Sequence, residues 1–189
     1  MAVTASERLS EAVAPPPTRE GLTFEKEWAM FQETDKCLDD ILLLDRSIGE
    51  LIEILVGAKL WEKFEDWNYG FKRFYQRLNI YEDNTYKVLN DVDLLLLDTD
   101  YAMVVEVKRE ADTGDVERHI IRMGHVKQYP PDMAKGKILI GAIAGGIITS
   151  EAINLAHANG FFVLRLRGES VELVSKKGEF EPKEWGRVG

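Results

Sequence analysis

The pattern of apolar and polar residues along the chain predicts an alternation of helices and strands. Apolar residues that recur every three or four positions predict helices, and short apolar runs bounded by turn residues predict strands. The predicted helices begin at Thr23, Ser47, Asp115 and Ser150, and the last three end near Phe64, Tyr129 and Asn159. The predicted strands cover residues 71–81, 92–97, 101–107, 137–144, 161–166 and 171–174. This order predicts an α/β fold with a mixed central sheet and helices on both of its faces.

The hairpin predicted at residues 92–107 organises the rest of the chain. Its two runs, Val92–Leu97 and Tyr101–Val107, are apolar on both faces, which is typical of strands in the middle of a sheet. Asp98-Thr99-Asp100 separates the runs and predicts a tight turn. With Thr99 and Asp100 in the loop, Asp98 faces Tyr101, and the register of the whole hairpin follows from that pair.

Four charged residues near the open end of this hairpin share one face in that register. Asp93 lies opposite Glu106, and Asp91 lies opposite Lys108. Opposed carboxylates have Cβ atoms about 5 Å apart and repel each other unless a positive charge lies between them. A divalent cation, with Lys108 close by, would supply that charge. The alternative interpretation is an ordinary Asp91–Lys108 ion pair, with the other two acids solvated at the end of the sheet.

The N-terminal part of the chain predicts a lead-in followed by an acidic helix. Residues 1–22 contain Pro15-Pro16-Pro17 and many small or polar residues, which predicts disorder. Apolar residues at helical spacing then predict a long amphipathic helix over residues 23–46, with acids on its other faces. This helix could pack on its own domain or form a coiled coil with a second chain, giving a homodimer. Asp35 and Asp45 interrupt the heptad, so both interpretations stay open.

Several other residues are candidates for a site. Glu53 lies among apolar residues of the second predicted helix, and Gly49 and Gly57, four positions away on either side, leave room for another element. The alternative for Glu53 is a surface glutamate. Basic residues near aromatic side chains or on the third predicted helix are candidates for phosphate contacts, whereas the aromatic residues themselves could be core. These candidates are Lys72, Arg73, Arg77, Arg118, Arg122 and Lys127.

Composition limits the function classes only loosely. The 189 residues suit one domain with an appendage, and 45% hydrophobic residues are enough for a substantial core. The net charge of −9 argues against a nucleic-acid partner, but residues 23–45 account for −5 of it and residues 46–189 for only −3. Cys37 is alone, and neither a signal peptide nor a membrane-spanning run is evident, so a cytoplasmic protein with no membrane partner is expected.

The central hairpin resembles the PD-(D/E)XK nuclease superfamily, whose fold is restriction-endonuclease-like. The resemblance rests on Asp-Val-Asp-Leu-Leu-Leu-Leu at 91–97 followed by Val-Val-Glu-Val-Lys at 104–108. The chain is also similar, over roughly residues 23–185, to a prokaryotic domain family of unassigned function within that superfamily. This second likeness is carried by 48–53, 105–108, 115–120 and 159–163.

The resemblance implies a domain at residues 47–189 that hydrolyses phosphodiester bonds with Mg²⁺, or Mn²⁺ in its place. It assigns Asp93, Glu106, Lys108 and Glu53 to catalysis. It makes Asp93, Glu106, Glu53 and the backbone carbonyl of Val107 the metal ligands, and it places Gln128 on the helix where some members carry an extra polar residue. DNA is the expected partner, with RNA as the second choice. The alternative function is a non-catalytic module in which the helix 23–46 mediates self-association or partner binding.

Overall fold

The computed structural model describes residues 23–44, 46–82, 85 and 87–189, so the predicted lead-in lies outside the described residues. The chain divides into two compact units after Asp35. Helix α1 covers Phe24–Leu44. None of the helices in the described part of the chain is long and apolar enough to cross a bilayer.

Helix α2 covers Ile48–Gly57 and begins where the sequence predicts. Ser47 accepts a hydrogen bond from the Glu50 amide, and the Glu50 carboxylate accepts one from the Ser47 amide, which forms a capping box. The prediction of one helix to Phe64 is wrong in its second half. Lys59 adopts a left-handed conformation with φ of 50°, which ends the helix, and a 3₁₀ helix follows over Leu60–Trp67.

Two further helices link the later strands. Helix α3 covers Thr113–Gln128 and begins with a second capping box, between Asp112 and Asp115. Helix α4 covers Ser150–Ala158, and the Thr149 hydroxyl accepts a hydrogen bond from the Ala152 amide at its start. Both helices were predicted from their apolar spacing, and both are confirmed.

A six-stranded mixed sheet forms the centre of the second unit, and its strands lie side by side in the order of the sequence. The strands are β1 (Arg73–Tyr81), β2 (Val88–Leu97), β3 (Tyr101–Ala111), β4 (Ile138–Ile148), β5 (Phe162–Arg167) and β6 (Ser170–Leu173). The β3–β4 and β4–β5 pairs are parallel, because α3 and α4 carry the chain back across the sheet, and the other neighbours are antiparallel.

The predicted hairpin register is confirmed over the paired residues. Leu94 pairs with Val105, and the ladder continues to Leu97 and Ala102. Alternate residues of these strands enter two separate cores. One core packs against α2 and the 3₁₀ helix, and the other packs against α3 and α4. Leu95 and Val104 belong to the core on the α3 side. Asp93 is two residues from Leu95 and Glu106 is two residues from Val104, so both acids face α3 as well.

Candidate active site

Asp93 lies at a distortion of the sheet. The β1–β2 ladder pairs Gln76 with Leu94 and Leu78 with Val92, and it skips Arg77 and Asp93 between them. Arg77 has φ of 53°, a left-handed conformation that is unusual for a residue in a strand. On the other side the β2–β3 ladder ends just before Asp93. Departures from regular strand geometry of this kind are concentrated at functional sites.

The Asp93 side chain replaces the missing backbone contact to β3. Its Oδ2 accepts a hydrogen bond of 2.8 Å from the amide of Val107. The N–H and C=O of one residue in an antiparallel strand point to the same side, so the Val107 carbonyl faces the same neighbouring strand. Asp93 therefore lies directly beside the Glu106–Lys108 segment, as the hairpin register predicts.

Glu106 is an acid buried in the sheet, with 2% of its surface exposed. Its Oε1 lies 2.8 Å from Nζ of Lys108, and its Oε2 accepts a hydrogen bond from Nη1 of Arg122. Nη2 of Arg122 lies 3.7 Å from Oδ1 of Asp91. Two cations thus neutralise one buried carboxylate, as burial of a charge requires.

The environment of Asp93 favours its neutral form. Burial and the charge of Glu106 raise the pKa of Asp93 to about 6, although the Val107 hydrogen bond and the charges of Lys108 and Arg122 act in the opposite direction. Burial alone would lower the pKa of Lys108, but its hydrogen bond to Glu106 and the nearby acids outweigh burial and raise it. Lys108 is therefore a cation at neutral pH, beside two acids that repel each other.

The donor set fits a divalent cation, with two carboxylates as its protein ligands. Carboxylate oxygens are the ligands that Mg²⁺ prefers, and Mg²⁺ commonly uses one or two carboxylates together with water. The raised pKa of Asp93 marks a position where added positive charge is favourable. Within the described residues, no group of three or more His, Cys, Asp or Glu side chains is arranged around a possible metal position.

Lys108 opens onto the surface. With Ile48, Arg109 and Glu110 it lines a cleft of about 500 Å³. The cleft runs between the first turn of α2 and the end of β3. The Lys108 side chain is 31% exposed, so the charge beside the buried Glu106 reaches solvent.

The structure does not bring Glu53 to the two acids. The helix that carries Glu53 packs on the core of the opposite sheet face, and the exposed Glu53 side chain lines a separate surface pocket with Arg46, Glu50 and Glu169. The sequence places Glu53 on the second predicted helix, but the face of the sheet on which that helix packs depends on tertiary contacts.

The basic candidates for phosphate contacts fall in different places. Lys72 and Arg73 line a depression near the β2–β3 turn, and the Arg77 guanidinium lies where a Cβ on Gly49 would be, at the start of α2. Arg118 is exposed and forms an ion pair of 2.7 Å with Asp115. Lys127 lies near Gly186 at the end of α3, where the polar candidate Gln128 donates to the Tyr129 hydroxyl. Of the whole set, Arg122 is the residue that contacts Glu106.

His119 is a site residue that the sequence reasoning missed. It is fully buried on α3, its Nδ1 lies 4.0 Å from Oε2 of Glu106, and its ring packs against Phe161 and above Gly141. Asp115, His119 and Arg122 recur at helical spacing on the inner side of α3. These three polar residues share one side of a helix that follows the strand carrying Glu106 and Lys108. That spacing is the sequence signal that could have identified His119.

The pKa of His119 predicts a specific pH dependence of stability. Burial, followed by the charges of Arg122 and Lys108, lowers the pKa of His119 to about 3 from 6.5. The unfolded chain therefore binds more protons between pH 3 and pH 6.5, and the native state loses stability as the pH falls. We expect the free-energy advantage of wild type over His119→Gln to shrink by about 2 kcal/mol from pH 7 to pH 5. Urea unfolding of both proteins at each pH measures this, and an advantage that stays constant contradicts it.

No protein-family model matches this sequence, and no curated protein sequence matches it. Three solved structures are similar to parts of the chain. A repair endonuclease from Pyrococcus abyssi is 21% identical over 66% of this chain and 48% of its own, with a TM-score of 0.46. EndoMS in apo form is 19% identical over 65% and 47%, with a TM-score of 0.39. The EndoMS-dsDNA2 complex is 19% identical over 59% and 44%, with a TM-score of 0.36.

The chain spans about half the length of each of these structures. Likeness at this level of identity leaves activity open, since one fold supports many functions. The side chains of the site therefore have to carry any assignment of function.

Proposed function

We propose that this chain is a metal-dependent nuclease of the restriction-endonuclease-like fold. Its reaction is hydrolysis of phosphodiester bonds in DNA, with RNA as the second choice of substrate. The observation that carries this proposal is the placement of Asp93 and Glu106 on adjacent strands, with the Lys108 ammonium 2.8 Å from Glu106 and the Lys108 side chain 31% exposed. An acid pair can hold a divalent ion, and an adjacent ammonium can offset the charge that develops on a phosphate.

In this proposal Asp93, Glu106 and the carbonyl of Val107 hold Mg²⁺, for which Mn²⁺ can substitute. When bound, the ion supplies Lewis-acid polarisation of the phosphate and lowers the pKa of a water molecule. Asp93 and Glu106 need to be ionised for this role, and the raised pKa of Asp93 means that the ion competes with a proton there near pH 6. This proposal gives Glu53 no role as a metal ligand, because its helix packs on the opposite face of the sheet.

Lys108 has two roles in the proposed reaction. Its ammonium orients the attacking water through hydrogen bonds, and its charge offsets the negative charge that develops on the phosphate oxygens. The raised pKa of Lys108 keeps it protonated at neutral pH, so it acts as a donor and not as a base. Arg77, the exposed candidate beside the first turn of α2, contacts a phosphate of the substrate.

Cleavage of supercoiled plasmid and of labelled single-stranded, duplex and branched oligonucleotides tests the proposal. We expect cleavage with Mg²⁺ or Mn²⁺ and none with EDTA. Lys108→Ala should lower the rate at least about a hundredfold, because it removes one preorganised donor at the reacting phosphate. Lys63→Ala, a surface lysine on the 3₁₀ helix, is the matched control and should retain the wild-type rate. Equal rates for Lys108→Ala and wild type contradict the role of Lys108.

A second candidate function is a binding module that self-associates through α1. The observation that favours it is the exposed row of Phe24, Trp28 and Phe31, with 76%, 54% and 65% of their surfaces exposed, whose rings stack on one another along the helix. Rows of this kind at helical spacing form helix–helix interfaces.

Light scattering coupled to size-exclusion chromatography tests this second candidate. We expect the full chain to run as a dimer and Trp28→Glu to run as a monomer, because a charge in the row opposes burial of the aromatic side chains. Ala29→Glu, which adds the same charge at an exposed position well away from the row, is the control. A monomeric wild-type protein excludes α1 as an oligomerisation element.

A further inference from the structure

The guanidinium of Arg122 is unevenly satisfied. Its Nη1 donates to Oε2 of Glu106, its Nη2 lies 3.7 Å from Oδ1 of Asp91, and its Nε is buried without a hydrogen-bond partner among the residues that the structure describes. The side chain is 12% exposed, so water reaches little of it. A buried donor without a partner carries a free-energy cost. Arg122 is therefore bound firmly at one nitrogen only.

Both oxygens of Glu106 are taken by cations, Oε1 by Lys108 and Oε2 by Arg122. A divalent cation held by Asp93 and Glu106 needs at least one of these oxygens. Each oxygen keeps a second lone pair for the ion. A divalent ion at that distance repels both basic side chains, however, and this repulsion favours the displacement of one of them. Lys108 lies on the same strand as Glu106 and beside Asp93, whereas Arg122 lies on α3 and already has a second acid near it.

Asp91 is suited to receive the guanidinium. It lies on β2, two residues from Asp93, and 67% of its side chain is exposed. It is already 3.7 Å from Nη2 of Arg122, so a short displacement would give a direct hydrogen bond. Transfer from Glu106 to Asp91 keeps the arginine charge paired, and it releases Oε2 of Glu106.

We propose that Arg122 competes with the divalent cation for the carboxylate of Glu106. It neutralises Glu106 when no metal is bound, and it transfers to Asp91 when the metal binds. Arg122 is in this sense a positioning residue that sets how readily the site loads. The inference rests on the proposed function and deepens it, because it assigns the control of metal loading to one side chain.

Mn²⁺ binding to the full-length protein, measured by isothermal titration calorimetry at neutral pH, tests the role of Arg122. We expect Arg122→Gln to bind Mn²⁺ at least about tenfold more tightly than wild type, because a unit charge a few Å from a divalent ion is removed. Arg122→Lys keeps the charge and should bind within about threefold of wild type. Arg167→Gln, at the end of β5 and paired with Glu172 at 3.1 Å, is the matched control and should differ by less than about twofold.

The melting temperature gives a readout that does not depend on activity. In EDTA, Arg122→Gln should melt below wild type, because Glu106 loses one of its two cations. Saturating Mn²⁺ should raise the melting temperature of Arg122→Gln more than that of wild type, by linkage to the tighter binding.

Asp91→Asn provides a second variant, and it leaves the buried Glu106–Arg122 pair unchanged in composition. We expect it to weaken Mn²⁺ binding in the wild-type background, because Arg122 then has no acid to move to. The effect should shrink when Arg122→Gln is also present, as a double-mutant cycle requires of two residues that act together. An equal effect of Asp91→Asn in both backgrounds overturns the transfer.

The outcomes separate this inference from the proposed function. If wild type binds Mn²⁺ and Arg122→Gln binds it no more tightly, the competitor role is wrong while the metal site stands. If neither protein binds Mn²⁺, the metal site itself is wrong, and the inference is overturned with it. If Arg122→Gln does not fold, an Asp91→Asn protein with unchanged Mn²⁺ affinity is sufficient to overturn the role of Arg122.

Discussion

Asp93→Asn is expected to abolish metal-dependent cleavage and, in the absence of metal, to make the protein more stable at pH 7. The amide oxygen of asparagine can still accept the hydrogen bond from the Val107 amide, so the distorted strand keeps its contact. Asparagine carries no charge, so a divalent cation loses one of its two carboxylate ligands. Cleavage and Mn²⁺ binding should both fall below detection.

The gain in stability follows from the pKa of Asp93, which burial and Glu106 raise to about 6 from 3.8. The native state therefore binds this proton more tightly than the unfolded chain. The cost of ionising Asp93 builds as the pH rises toward 6 and is complete above it. We expect the free energy of unfolding of Asp93→Asn to exceed that of wild type by about 3 kcal/mol at pH 7 and by less than about 1 kcal/mol at pH 4.

Urea unfolding in EDTA at both pH values measures the stability, and the cleavage assay measures the activity. Asp98→Asn is unsuitable as a control, because its carboxylate accepts two backbone hydrogen bonds in the β2–β3 turn. Asp100→Asn, at the exposed tip of that turn, is suitable and should change neither quantity. An Asp93→Asn protein that still cleaves DNA would falsify the assignment of Asp93 as a metal ligand.

Glu106→Gln is expected to act in the opposite direction on stability. Glu106 is 2% exposed and pairs with both Lys108 and Arg122, so a neutral side chain leaves two cations without their common partner. Removing one partner of a buried ion pair typically costs about 3–5 kcal/mol. We therefore expect Glu106→Gln to lose at least about 3 kcal/mol of unfolding free energy at pH 7, together with Mn²⁺ binding and cleavage.

The matched control for this variant is Glu110→Gln, four residues further along β3 and exposed to solvent. It should change the free energy of unfolding by less than about 0.5 kcal/mol. A Glu106→Gln protein as stable as wild type would show that Lys108 and Arg122 do not depend on this carboxylate. The two acids of the site are thus distinguished by the sign of their effects, since Glu106 is paired with two cations and Asp93 is not.

Much of the sheet could be predicted from the sequence because local patterns determine it. Strand residues alternate between two faces, and a two-residue turn leaves one register for the hairpin, which places Asp93 beside the Glu106–Lys108 segment. The capping residues that begin α2 and α3 are likewise local signals. The break at Lys59 was missed, because a left-handed lysine inside an apolar periodicity has no signature in residue type.

The sequence places Lys108 near Glu106, but the neighbours of Glu106 on α3 could not be predicted. The sequence shows Arg122 as one of several basic residues, and it shows His119 as one of three histidines. Their contacts with Glu106 depend on the depth and rotation with which α3 packs on the sheet. The same limit applies to Glu53, whose helix packs on the opposite face of the sheet.

The sequence by itself therefore determined the strands, the hairpin register and the presence of two acids and a lysine on one face, because these follow from the side-chain period of a strand and the length of a turn. The tertiary structure alone decided which charges meet. It pairs Glu106 with Arg122 across 16 positions of sequence, leaves Asp93 with a raised pKa, and keeps Glu53 away from both acids. The physical reason is that the packing of helices on a sheet depends on the shapes of both surfaces, and those surfaces exist only in the folded chain.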